Sequence, residues 1–365
     1  MGCDLLASSY KILPATVNRF ALSSSSPRQF VPCSVEFSKS KRRVVIIASA
    51  GPSHCEPSSS SGFSGLNGPI GLKSAVGLFL RAVFLNHRHE FDHAVVDELT
   101  QLADERDGAF SRLFHCSNPD DLLLHRKIAE IKERDSRKAV EDIMYMIIFS
   151  KFSDIHVPMI PKLSRCIYNG RLEIIRSKDW ELESIHNMEV LEIIKEHIFA
   201  VIGLRINSGV TEHWATTEIR KQKLGKIYSG AVWYGYFLKS ALGRHLLERC
   251  LLTGNEGSRS VRLPNLVVNK MLYSSNVEEC GDLRGYVLGF DLESLVRCAR
   301  VRSKEASNIM ENQRSALFWE EGGSDEVIVT SYGTMKRLIL EAFAFGSFLW
   351  DAEDHVNDYF RLQDI

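Results

Sequence analysis

The sequence predicts a mainly α-helical fold: a multi-helix globular domain of about eight to ten helices with at most a short strand pair. Three observations carry that reading. From residue 70 onward apolar residues recur every three or four positions, the spacing of one helix face. Capping residues stand where several of these stripes begin. Only one short β-branched run, Glu326–Thr330, breaks the pattern as a strand would.

Val76, Phe79, Leu80, Val83 and Phe84 form the first stripe, followed by a break at Asn86–Arg88. Phe91, Val95, Leu99 and Leu102 form the second, running to Gly108. The third helix has Asn118 to cap it, Pro119 at its first position, and Asp120 and Asp121 at the positive end of its dipole. Its predicted inner face is Leu124, Ile128 and Ile131, and a fourth stripe of Val140, Ile143, Met144, Ile147 and Ile148 follows at once. Pro158 disfavours helical geometry at Val157, so residues 153–178 read as a loop.

A fifth helix is expected from Asp179 to Gly203, with Leu191, Ile194, Ile198 and Val201 inward and Gly203 as a left-handed cap. The next runs from Thr216 to about Leu252, with Leu224, Ile227, Ala231, Tyr234 and Leu238 in register. Gly230 and Gly235 inside it fit a close neighbouring helix, and a kink near Gly243 is the alternative. Residues 253–288 are Gly-, Ser- and Asn-rich and read as a long loop or an internal boundary. Asp291 reads as a cap, with Phe290 and Leu295 as a hydrophobic staple, for a helix through Arg302, Ala306, Met310 and Leu317. Ser331 opens the last long helix, with Leu338, Ala342, Phe345 and Leu349 inward, before a polar tail helix. No repeat recurs at a fixed period.

Composition narrows the function classes. The 365 residues are 44% hydrophobic and 25% charged with a formal net charge of -1, which excludes disorder throughout, collagen-like repeats and a disulfide mini-scaffold. No apolar run is long enough to span a membrane. The neutral balance argues against nucleic-acid binding, which draws on a basic excess. Residues 1–50 differ in kind: seven basic residues stand against only Asp4 and Glu36, and ten of the fifty are Ser. That is the composition of a plastid transit peptide, with a processing-type stretch at Val44–Ala50 after Lys41-Arg42-Arg43. Residues 51–69, rich in Ser, Gly and Pro, read as a linker, and residues 70–365 as the helical domain. Beyond the leader and linker five cysteines remain without a C-x-x-C pair, so reduced, buried thiols are expected.

Three constellations resemble functional sites. His89-Glu90-Phe91-Asp92-His93 matches the H-E-x-x-H zinc pattern, in which two histidines one turn apart bind the metal and the glutamate activates water. His89 falls at a helix start, however, and Leu99 stands where a third histidine would, so a polar helix start with Glu90 and Asp92 at the dipole explains the residues more simply. Asp351, Asp354, His355 and Asp358 share one helical face, as a solvated face, a hard-cation site or a docking face for a basic partner. Arg220-Lys221-Gln222-Lys223, Lys226, Tyr228, Trp233, Tyr234 and Tyr236 mix basic and aromatic groups, but helical spacing turns several rings inward, away from any RNA. Phosphate-loop, dinucleotide and nucleophile-elbow motifs are missing.

Further stretches carry a resemblance. Ser74–Leu80 with Asn86–His89, Lys223–Tyr228 with Tyr234–Leu238, Arg302–Ala306, and Lys336–Ala342 with Phe345–Asp351 resemble the plant UV-B-induced chloroplast protein family. That family is built on a domain of unknown function shared with cyanobacteria, and the resemblance spans residues 70–360. It implies a soluble plastid protein with a cleavable leader, linked to UV-B and light stress, and brings no reaction, cofactor or site residue with it. The expectation is therefore a stromal helical protein that binds an unknown stromal protein partner, without cofactor, nucleic acid or membrane span. The alternatives are a metal-dependent enzyme using His89, Glu90 and His93, or a small-ligand carrier.

Overall fold

In the computed structural model, residues 68–115, 119–174, 178–202, 215–253, 283–318 and 326–364 are described. All lie within one compact unit, Phe63–Ile365. The leader, the caps at Asn118 and Gly203, Cys116 and Cys280, and residues 254–282 of the predicted long loop lie outside the described residues. Among the described residues the chain forms ten α-helices and a four-stranded sheet. The helical class predicted from the periodicity holds, and the sheet is larger than a strand pair.

Helices α1 (Ala75–Asn86) and α2 (Phe91–Phe114) pack on α3 (Pro119–Asp154). The break predicted at Asn86–Arg88 is a single 3-10 turn, Arg88–Glu90. The third and fourth predicted stripes belong to the one 36-residue helix α3. Its second half is core: Val140, Ile143, Met144, Ile147 and Ile148 are all buried. Its first half departs from the prediction, because Leu124, Ile128 and Ile131 point to solvent. The residues of that half that are buried are small, Ala129 and Ser136, and they lie on the opposite side of the helix.

The predicted loop 153–178 contains a hairpin, β1 (Ile167–Tyr168) and β2 (Arg171–Leu172), paired antiparallel. Asn169 (φ 51°) and Gly170 (φ 73°) make its two-residue turn, the Asn-Gly pair that tolerates two left-handed residues in succession. The fifth predicted helix is split into α4 (Asp179–Glu183) and α5 (Met188–Ile202), with the Asn187 side chain accepting from the Val190 N–H at the restart. The next departs at its start: Thr216–Arg220 is strand β3, and α6 runs from Lys221 to Thr253 without a break at Gly243. After α7 (Leu283–Leu288), Asp291 caps α8 (Leu292–Ala299) as predicted, its carboxylate accepting from the Ser294 N–H at 3.0 Å. Leu295 is exposed rather than stapled, and the helix stops at Arg300, so α9 (Lys304–Phe318) is a separate element. Strand β4 (Val327–Ser331) lies on the predicted β-branched run, and Ser331 caps α10 (Tyr332–Asn357), accepting from Thr334. The polar tail is the end of α10, not another helix.

The sheet runs β1-β2-β4-β3, with β2 parallel to β4 and β3 antiparallel to it. The sheet launches two core helices, for β3 runs directly into α6 and β4 directly into α10, and these two pack most extensively on each other. The pair is internally symmetric. Thr216 faces Ser331 and Arg220 faces Val327 about a centre at Glu218 and Val329. The Lys221 N–H donates to the Glu326 carbonyl at 2.9 Å, and the Tyr332 N–H to the Ala215 carbonyl at 3.1 Å. Gly235 follows the end of β3 by the same interval as Gly346 follows the end of β4. A Cβ on Gly235 would run into the backbone of Phe343, and one on Gly346 into the backbone of Val232. The local sequences match as well, Gly235-Tyr236-Phe237-Leu238 against Gly346-Ser347-Phe348-Leu349. The chain thus contains a strand–helix unit twice, related by a local two-fold axis. No fixed period shows it, since two copies give no run of repeats.

Candidate functional site

The predicted site residues take ordinary positions. His89 and Glu90 lie in the 3-10 turn and His93 in the first turn of α2, so the two histidines do not share one α-helix. All three are exposed, and His89 Nε2 lies 3.3 Å from Glu90 Oε1. Among the described residues, no three His, Cys, Asp or Glu side chains gather as metal ligands.

The C-terminal acidic face of α10 turns toward the chain's own cations. Asp351 lies 3.2 Å from Lys239 of α6, and burial pushes its carboxyl up against the pull of that lysine. Asp354 accepts from Arg302 at 3.1 Å. His355 packs edge-on to Tyr359 and is held below its usual range by burial, and Asp358 is the exposed C-cap. Next to them Glu353 is fully buried. It accepts from the Ser303 N–H (2.7 Å), the Ser303 hydroxyl (2.5 Å), the Tyr236 hydroxyl (2.5 Å) and Arg302 Nε (3.1 Å). Because Ser303 also accepts from the Ala306 N–H, this carboxylate fixes the start of α9 against α6 and α10. The basic and aromatic stretch divides as the spacing predicts: Tyr228 and Tyr236 are buried while Lys223 and Lys226 are exposed on the other side.

The buried polar pair that sequence reasoning passed over lies one turn inside α10. Arg337 is 2% exposed and Glu341 0%, one helical turn apart. Arg337 Nη1 donates to Glu341 at 3.0 Å and Nη2 to the Pro158 carbonyl at 3.1 Å. Both Glu341 oxygens accept from the Ile160 N–H, at 2.9 and 3.1 Å. Burial pushes the Glu341 carboxyl above its ordinary value, against the pull of Arg337 and of that N–H. The pair thereby ties the turn that follows α3 to the centre of the core, and removing either partner would strand a buried charge. The sequence signal is Arg337 and Glu341 at i, i+4, with Glu341 inside and Arg337 at the edge of the largely apolar stretch Leu338–Phe348.

Over this pair opens a cleft of about 680 Å³, between the turn after α3, the β1–β2 hairpin and the first turns of α10. That volume lies in the range of small-molecule sites. Pro158, Met159, Ile160, Pro161, Leu172 and Ile174 supply apolar wall, and Arg165, Arg171, Glu173, Ser331, Thr334 and Arg337 supply polar groups. Cys166 also lines it, its thiol pushed up by burial and then by the Glu341 charge, so it is a neutral wall group rather than a nucleophile.

A second surface lies on the first half of α3. Leu124, Ile128 and Ile131, at i, i+4 and i+7, form an outward apolar stripe opposite the buried face of the same helix. Phe114 at the end of α2 is 85% exposed and Leu123 71%. The charged residues around the stripe pair among themselves, Lys127 with Glu130 (3.1 Å) and Lys132 with Glu105 (2.8 Å).

These features define a class of protein: a helical domain built around a duplicated strand–helix unit, carrying an uncovered apolar helix face and an open cleft. Comparison with known proteins supplies the family. It is 34% identical over 324 residues, 79% of this chain and 76% of the relative, to a chloroplastic UV-B-induced protein of Arabidopsis thaliana. Residues 123–251 match the family described as a protein of unknown function, DUF760. The chain belongs to the family of that UV-B-induced protein. No solved structure matches it. The matched segment runs from α3 into α6, and so covers the first strand–helix unit and leaves β4 and α10 outside.

Proposed function

We propose that this is a plastid stromal protein of the UV-B and light-stress response, delivered by a leader within residues 1–50, that acts by binding another protein. The chloroplast location of the relative and the basic, Ser-rich composition of the leader support the address. One observation carries the binding: the outward stripe Leu124, Ile128 and Ile131 on α3. An apolar stripe at helical spacing is suited to packing against another helix, and α2 and the core cover only the other side of α3, at Ala129 and Ser136. The partner is an amphipathic helix of matching spacing, basic where it meets Asp120 and Asp121 at the first turn of α3. Among the described residues no helix is long and apolar enough to cross a membrane.

The test is native mass spectrometry on tagged chain recovered from isolated stroma, wild type beside Ile128→Asp. The wild type is expected with a second, different chain in fixed stoichiometry. The variant is expected alone, with an unchanged melting temperature because Ile128 is already exposed. A monomer in both samples, or a complex that survives the substitution, refutes the reading, and a complex holding only copies of this chain replaces it with self-association.

A further inference from the structure

The cleft over the Arg337–Glu341 pair has the build of a ligand site. Its apolar residues are contiguous in the chain on one side, Pro158 to Pro161, and are met by Leu172 and Ile174 from the hairpin. Its polar groups are mostly donors. Arg337 lines the cleft with its guanidinium almost wholly buried. Two of its nitrogens are satisfied by Glu341 and the Pro158 carbonyl, but Nε is buried with no acceptor among the described residues. A buried guanidinium N–H without a partner costs on the order of 1–3 kcal/mol, so an acceptor is missing at this place. Arg165, exposed in the lining, has no ion pair among the described residues. Arg171 is paired with Glu173 at 3.3 Å, and Glu341 balances Arg337 from behind, which leaves Arg165 as the uncompensated charge of the lining. Ser331 and Thr334 bring the N-terminus of the 26-residue helix α10 to the same wall, where its dipole favours an anion although the Tyr332 and Thr334 N–H groups are already bonded.

The duplicated unit gives an independent comparison. The positions of Thr334, Arg337 and Glu341 in the second unit correspond to Lys223, Lys226 and Gly230 in the first. In the first unit both lysines are exposed and Gly230 opens onto empty space. The hairpin is likewise paired with β4. The buried Arg–Glu pair and the cleft are therefore where the two units differ, and a departure from an internal symmetry marks a place where something other than packing has set the residues.

We propose that this cleft binds a small amphipathic anion: an oxyanion head at Arg165, Arg337 and the start of α10, and an apolar body along Met159, Ile160, Leu172 and Ile174. The head chemistry is shared by carboxylates and phosphate monoesters, and the test separates them.

The experiment is calorimetric titration of the full chain with decanoate, decyl phosphate and decanol, below their aggregation thresholds. At least one of the two anions is expected to bind, with decanol roughly tenfold or more weaker. Whichever anion binds tighter names the head. Arg165→Glu is expected to weaken the anion roughly tenfold or more and to leave the melting temperature unchanged, since Arg165 is exposed and unpaired among the described residues. Ile174→Asp is expected to weaken anions and decanol alike. Decanol binding as tightly as the anions, full affinity in Arg165→Glu, or no binding of any probe overturns the proposal. None of these outcomes depends on the stripe of α3, so this proposal and the partner-binding reading stand or fall separately.

Discussion

At the scale of single residues, the core is held by polar groups that composition does not announce. Arg337 and Glu341 look in the sequence like an ordinary i, i+4 surface pair, and only the largely apolar stretch from Leu338 to Phe348 gives them away. Glu353 gives no such signal, because its four donors come from α6 and from Arg302 and Ser303 in the turn before α9, contacts that no local pattern encodes. His186 shows what burial does to a single titrating group. Its Nε2 is buried without a partner, and desolvation first, then the nearby Lys239 cation, hold its pKa down to about 3. In the folded chain the ring stays neutral, whereas in the unfolded chain it takes a proton below about pH 6.5. The unfolded state then binds more protons, and stability falls as pH drops from about 6.5 toward 3. Between pH 7 and pH 5 this one group removes up to about 2 kcal/mol. Urea melts of the wild type and His186→Leu at both pH values check it: the variant should lose correspondingly less, and equal losses would acquit His186.

At the scale of elements, helix starts were legible where a cap or a proline marks them, at Pro119, Asp291 and Ser331. Strand β3 was not, because Thr216–Arg220 joins directly to a helix and owes its strand geometry to β4, more than a hundred residues away. The β1–β2 hairpin carried its signal in Asn169-Gly170, which a reading centred on the two prolines of that stretch passed over. Periodicity alone puts Leu124, Ile128 and Ile131 inward, yet periodicity fixes which residues share a face, not which face meets the core. The contact of α6 with α10 rests on two glycines, and at both a Cβ would meet the backbone of the other helix. Backbone cannot yield as a side-chain tip can, so Gly346→Ala forces the helices apart. The expected loss is about 2–3 kcal/mol, with helix content unchanged, measured by denaturant unfolding followed by circular dichroism. Gly230→Ala, on α6 but in open space, serves as the control and should stabilise by a few tenths of a kcal/mol or more.

At the scale of the whole molecule, the two strand–helix units form the centre, and the remaining elements are fastened around it by segments distant in sequence. The last residues form the most extended of these fastenings. Phe360 and Leu362 are buried, the Lys304 N–H donates to the Gln363 carbonyl at 2.9 Å, and the Gln363 N–H donates to Glu305 at 3.2 Å. Arg106 of α2 donates to the Arg361 carbonyl at 3.1 Å and covers the Phe360 ring at 4.4 Å. The segment therefore straps α2 to the start of α9, where Ser303 is held by Glu353. Deleting residues 360–365 removes two buried apolar side chains and leaves the Lys304 N–H without its acceptor. A loss of at least about 4 kcal/mol is expected on apolar burial alone. The loss should be unevenly distributed: amide exchange should accelerate in α2 and α9, while the α6–α10 contact, held by its own glycines and by the ladder of β3 and β4, keeps its protection. A uniform loss of protection would mean instead that the strap and the duplicated centre unfold as one unit. A loss below about 1 kcal/mol would mean that these contacts carry no net stability.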